Sequence, residues 1–101
     1  MDEKWYSNNL TAEEAERLQK DYAKIESPIY GVNDRGALSL QFSLNYANSG
    51  GTNWQLMDAE DVRVLLTKTK AFEVSRLEGK VVEAFLEGRM LRGLSVNESL
   101  I

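Results

Sequence analysis

The chain has 101 residues, with 43% hydrophobic and 28% charged residues and a formal net charge of −4. That is one ordinary soluble domain, long enough to bury a core of its own. The acidic balance, 16 Asp and Glu against 12 Lys and Arg, argues against direct nucleic-acid binding, which needs a basic patch.

Residues 1–34 carry 8 acids and 4 bases, whereas residues 35–101 carry 8 of each, so the acidic end is N-terminal. Cysteine and histidine are both absent. Thiolate nucleophiles, disulfides, zinc ligand sets and the neutral-pH proton shuttle are lost together. No apolar run approaches the length of a membrane helix. The charged start Met1-Asp2-Glu3-Lys4 is not followed by an apolar signal core, so we expect a cytoplasmic protein and no membrane association.

Residues 1–10 form an arm without periodicity. Trp5 and Tyr6 are expected to fold back onto the core. Thr11-Ala12-Glu13-Glu14 has the spacing of a capping box, with acids in the first turn where the helix dipole favours them. Ala15, Leu18, Tyr22 and Ile25 then fall on one narrow stripe, which predicts an amphipathic helix over 12–24. Pro28, the only proline, suits an edge-type strand over 25–32. Asn33-Asp34-Arg35-Gly36 is a turn leading into a second strand. In that strand Leu38, Leu40, Phe42, Leu44 and Tyr46 alternate with Ser39, Gln41, Ser43 and Asn45, the cleanest period of two in the chain.

A polar loop is expected over 46–54. Asp58 is placed to cap a helix over about 59–69, with Met57 and Val62 at staple spacing. Residues 71–75 suggest a short extended segment and 76–80 a turn. Val81 to Leu86 and Arg89 to Val96 then form a hairpin about Glu87-Gly88. Gly93 inside its second strand suggests a bulge or a close backbone approach. Residues 97–101 are a tail. The sum is an α+β domain: an antiparallel sheet of four or five strands built from two hairpins, one helix packed on a face, and the N-terminal amphipathic helix.

The paired acids Glu13/Glu14 and Asp58/Asp61 are explained by capping, so no catalytic residues, no metal site and no cofactor are assigned. Gly50-Gly51 lacks the lysine and spacing of a phosphate-binding loop. Arg76, Lys80, Arg89 and Arg92 interleave with Glu78, Glu83 and Glu87, a pattern that suits a cross-strand ion-pair lattice. The candidate ligand or partner site is Tyr46, Asn48, Ser49, Gly50, Gly51, Thr52, Asn53 and Trp54. Two aromatics would supply stacking surfaces, and the small polar residues adaptable hydrogen bonds. The same stretch also reads as a plain connection whose aromatics plug the core.

From Ile25 to Gly51 the chain resembles a group of small, uncharacterised phage and prophage proteins. The matching parts are Ile25, Gly31, Asp34-Arg35-Gly36, the alternating Leu38 to Tyr46, and Ser49-Gly50-Gly51, with Leu77, Gly79 and Lys80 further on. This resemblance, over about residues 25–96, implies a mobile-element setting in the cytoplasm of a bacterial host. Three readings follow. The first is a non-catalytic interaction protein that binds and inhibits a bacterial host defence protein. The second is a binder of a nucleotide-like signal at loop 46–54. The third is a phage structural or assembly component. A homodimer is compatible with each.

Overall fold

A computed structural model describes residues 4–48 and 50–100. The architecture is α+β: a curled, five-stranded antiparallel sheet with two helices. In chain order these are α1 (Ala12–Arg17), β1 (Gln19–Val32), β2 (Leu38–Tyr46), β3 (Gly51–Leu56), α2 (Ala59–Lys68), β4 (Val81–Glu87) and β5 (Met90–Ser95). Across the sheet the order is β3-β2-β1-β4-β5.

β1 is the central strand, and it begins inside the stretch whose spacing predicts a helix over 12–24. α1 ends at Arg17, with Leu18 already extended as its C-cap. The reason is tertiary. From Gln19 to Lys24 the chain pairs with β4, and from Ala23 onward with β2. Within it Asp21, Ala23 and Ile25 are buried while Lys20, Tyr22 and Lys24 are exposed. A central strand satisfies main-chain groups on both sides, and a short helix with a single buried alanine cannot compete. Only the capping box survives: Glu14 N–H donates to Thr11 Oγ1, and Thr11 N–H to Glu14 Oε1, each at 3.1 Å.

β3 also departs from expectation, because residues 51–56 pair with β2 from Asn45↔Gly51 to Leu40↔Leu56. The expected extended segment at 71–75 is absent; Val74–Leu77 is a 3-10 turn. The last hairpin turns on Gly88-Arg89, since Glu87 and Met90 are partners.

The core lies on one face of the sheet. Ala23, Ile25, Leu40, Leu44, Val82, Ala84 and Leu94 cluster there with Val62 and Leu65 of α2. Each large aliphatic buried this way contributes about 1.5–3 kcal/mol. α2 starts where expected, Asp58 accepting from Glu60 N–H at 2.8 Å. A smaller cluster on the opposite face joins Phe85 of β4 to Leu10 and Ala15.

The N-terminal arm closes the β5 side of the sheet. Leu94 N–H donates to Ser7 Oγ at 2.8 Å. The Ser95 hydroxyl donates to the Trp5 carbonyl. Asp61 of α2 accepts from Trp5 Nε1 at 3.3 Å and from Asn8 N–H at 3.0 Å. Tyr6 meets Phe85 edge-on, with ring centroids 5.4 Å apart. Gly93 is where the arm approaches most closely: a Cβ there would sit 3.0 Å from the Ser7 carbonyl oxygen.

Candidate functional site

The structure divides the predicted site. Tyr46 ends β2, while Asn48 and Gly50 belong to the β2–β3 connection, Tyr46 N–H donating to the Gly50 carbonyl at 3.0 Å. Ser49 lies outside the described residues. Gly51, Thr52, Asn53 and Trp54 are ladder residues of β3, not loop. Gly51 has a steric role: a Cβ would meet the Leu44 carbonyl oxygen at 2.6 Å.

Tyr46, Asn48, Gly50, Gly51 and Thr52 line one cleft of about 520 Å³. Its floor is a residue that sequence reasoning passed over. Asp21, buried in β1, accepts at Oδ1 from Tyr22 N–H at 2.8 Å and from Asn48 Nδ2 at 2.9 Å. Burial, and then the negative charge of Asp21, raise the Tyr46 hydroxyl above the ordinary phenol range. Arg89 also lines the cleft. Such a site offers a carboxylate, a neutral phenol, amides and the Arg89 guanidinium. A phosphate would have to approach the Asp21 charge.

Trp54 lies outside that cleft, and Asn53 lines a neighbouring one with Gly50, Gly51 and Thr52. Together with Gln41, Phe42 and Asn8, Asn53 and Trp54 line a groove of about 640 Å³ beside β3. The Trp54 indole packs against the core, and its buried N–H has no hydrogen-bond partner among the described residues. It is therefore not a free stacking surface. Among the described residues no three His, Cys, Asp or Glu converge to hold a metal.

The basic residues near the last hairpin do not assemble as one lattice. Arg92 pairs with Glu87 at 2.6 Å and Arg76 with Glu73 at 3.1 Å. Glu83 faces Lys4 and Lys20 instead. Glu78 accepts from Ser27 N–H at 2.9 Å.

A second surface was not singled out by sequence reasoning. Past Ser27, β1 leaves β4 and runs on as an edge paired with β2 alone; beyond Leu40, where β3 also ends, the two strands continue as an arm closed by the turn 33–36. A bulge marks the departure: the register shifts between Glu26 and Ile29, and Ser27 takes φ 54°. The extra residue changes which side chains face the core side. Ala23 and Ile25 do so before it; Tyr30 and Val32, opposite Leu40 and Leu38, do so after it. Among the described residues no helix covers them there. Tyr30 is 46% exposed, Val32 65% and Leu38 57%, and Ile29 on the other face is 63% exposed. Segment 27–33, Ser-Pro-Ile-Tyr-Gly-Val-Asn, carries no charge. The available signal was this uncharged apolar run; the sequence does not show where β4 stops beside it.

Compared with protein-family models, curated proteins and solved structures, the chain matches none.

Proposed function

We propose that this chain is a non-catalytic interaction protein, and that the β1–β2 arm is its contact surface. The observation that carries the reading is the exposure of Tyr30, Val32 and Leu38 on a strand pair free of charge between Ser27 and Asn33. Exposed apolar patches on small domains mark contact sites, and an edge without charged gatekeepers invites strand pairing. In the mobile-element setting that the resemblance implies, the partner is a bacterial host protein, inhibited by occupation of its surface.

The test compares capture from a bacterial lysate by the wild-type chain, by Tyr30→Lys/Val32→Lys, and by Met90→Lys. Met90 is equally exposed but sits on the distant β4–β5 hairpin. A protein retained by the wild type and by Met90→Lys but lost by the double variant supports the reading. The same captured set in all three contradicts it.

A second reading, a small-ligand binder, is supported by the Asp21 cleft. Its carboxylate favours an amine- or hydroxyl-bearing ligand over a nucleotide phosphate. A rise in melting temperature with polyamines or amino sugars, and none with nucleotides, is the expected pattern. No shift with any of them removes it.

A further inference from the structure

We infer that in the free protein the exposed edge of the arm is covered by a second copy of this chain, paired antiparallel to itself about Gly31. The inference rests on the arm being the contact surface and names what occupies it.

The main-chain geometry leads there. Asn33 N–H donates to the Ala37 carbonyl at 2.8 Å, so Asn33 faces β2. Alternation along an antiparallel ladder then turns Gly31 and Ile29 to β2 and leaves Tyr30 and Val32 as the non-hydrogen-bonded positions of that pair. The N–H and C=O groups of Tyr30 and Val32 point to the other side. β4 does not reach them, because its pairing with β1 ends at Lys24↔Val81, and Ile25 takes the last contacts, with Gly79 and Lys80. Among the described residues nothing pairs with this edge.

A two-fold axis at Gly31 sets Tyr30 against Val32 of the second copy, and Val32 against its Tyr30. The two exposed pairs then exchange about four main-chain hydrogen bonds. Their side chains share one face, so each aromatic ring meets a β-branched side chain, a favourable cross-strand pair. Gly31 at the axis is a non-hydrogen-bonded position of the new pair and places no side chain against its symmetry mate.

Charge accommodates this register, the turn carrying exposed Asp34 and Arg35 side by side. Pairing about Gly31 brings the Asn33–Gly36 turn of one copy beside the Ser27 bulge of the other. Arg35, exposed in that turn, then lies by the Glu78 carboxylate that holds Ser27 N–H. The uncharged segment between them removes the repulsion that two chains of net charge −4 would otherwise meet.

Sedimentation equilibrium of the full chain from micromolar to millimolar concentration tests this. The mass is expected to rise from 11.4 kDa toward twice that value. Tyr30→Lys/Val32→Lys is expected to remain monomeric with an unchanged circular dichroism spectrum, and Arg35→Glu to weaken the dimer about tenfold. Met90→Lys should dimerise like the wild type. A monomer at every concentration overturns the inference but leaves partner capture by the arm to be judged separately. A dimer that survives the double lysine change, or that Met90→Lys breaks equally, overturns it as well.

Discussion

Lys4 and Glu83, 79 residues apart in sequence, form an ion pair on the face of the sheet opposite the main core. Lys20 Nζ lies 3.4 Å from the other carboxylate oxygen. The Glu83 side chain is only 2% exposed, and both lysines reach it from solvent. The pair ties the N-terminal arm to the centre of the sheet.

Removing both cations, as in Lys4→Met/Lys20→Met, strands a buried carboxylate. We expect a loss of about 2 kcal/mol in urea unfolding, below the usual cost of breaking a buried pair because water reaches both lysines. Each single change should cost less, since the other lysine remains. The charge of Glu83, and then its hydrogen bond, raise Lys20 above its ordinary 10.5. A raised lysine stabilises fully below that value, and the contribution disappears as pH climbs through the folded-state value. Alkaline unfolding should therefore come earlier in the wild type than its mid-pH stability suggests, and Lys20→Met should flatten that limb.

The capping box predicts the opposite limb. The Thr11 backbone N–H, and then its hydroxyl, hold Glu14 below the ordinary 4.5. Its contribution is present above 4.5 and fades as pH falls through the lower folded-state value. Protection factors over Ala12–Arg17, which remove the intrinsic pH dependence of amide exchange, should fall in acid, and Glu14→Gln should abolish that fall. If the protection factors of α1 are the same across the acid range, the reciprocal cap is not formed.

Gly93→Ala is expected to lift the arm from β5. The new methyl would meet the Ser7 carbonyl at 3.0 Å and Leu10 Cδ2 at 3.2 Å. Such crowding costs about 1–3 kcal/mol. Limited proteolysis should then cleave within residues 4–10 faster than in the wild type, with the β1–β2 ladder still protected.

Ser39→Ala should be neutral or stabilising. The Ser39 hydroxyl is buried and has no hydrogen-bond partner among the described residues. An unmatched buried hydroxyl costs about 1–3 kcal/mol, and alanine keeps the shape nearly unchanged. The urea midpoint should rise or hold, with the slope unaltered.

Much of this was legible from residue order. Leu38 to Tyr46 alternates strongly because β2 is buried on one face, and Asp58 announces α2 because a cap is a local device. Gly93 signals a bulge or a close approach because a glycine inside a strand is unfavourable without one, and both are found there. β1 was hidden by coincidence: Ala15, Leu18, Tyr22 and Ile25 satisfy a helical stripe, while the strand alternation of Asp21, Ala23 and Ile25 uses one acid and one small residue that carry little hydrophobic signal. β3 was hidden because its exposed residues, Asn53 and Gln55, have the composition of a loop, and the ladder with β2 is what makes it a strand. The split of the 46–54 site follows from that error. Of the two readings of Trp54, a free stacking surface or a core plug, the register with Phe42 favours the second and turns it against the core. The exposure of the arm depends on where β4 ends, a tertiary fact with no local trace in Ser27 to Val32.

The most direct measurement is amide hydrogen exchange at Tyr30 and Val32, read against Ala23 and Ile25 in the same strand. The account predicts rapid exchange at Tyr30 and Val32 in dilute protein. Protection should appear there as concentration rises or when a captured partner is added, while Ala23 and Ile25 stay protected throughout. Exchange at Tyr30 and Val32 that is equally fast at every concentration and in every complex would contradict it.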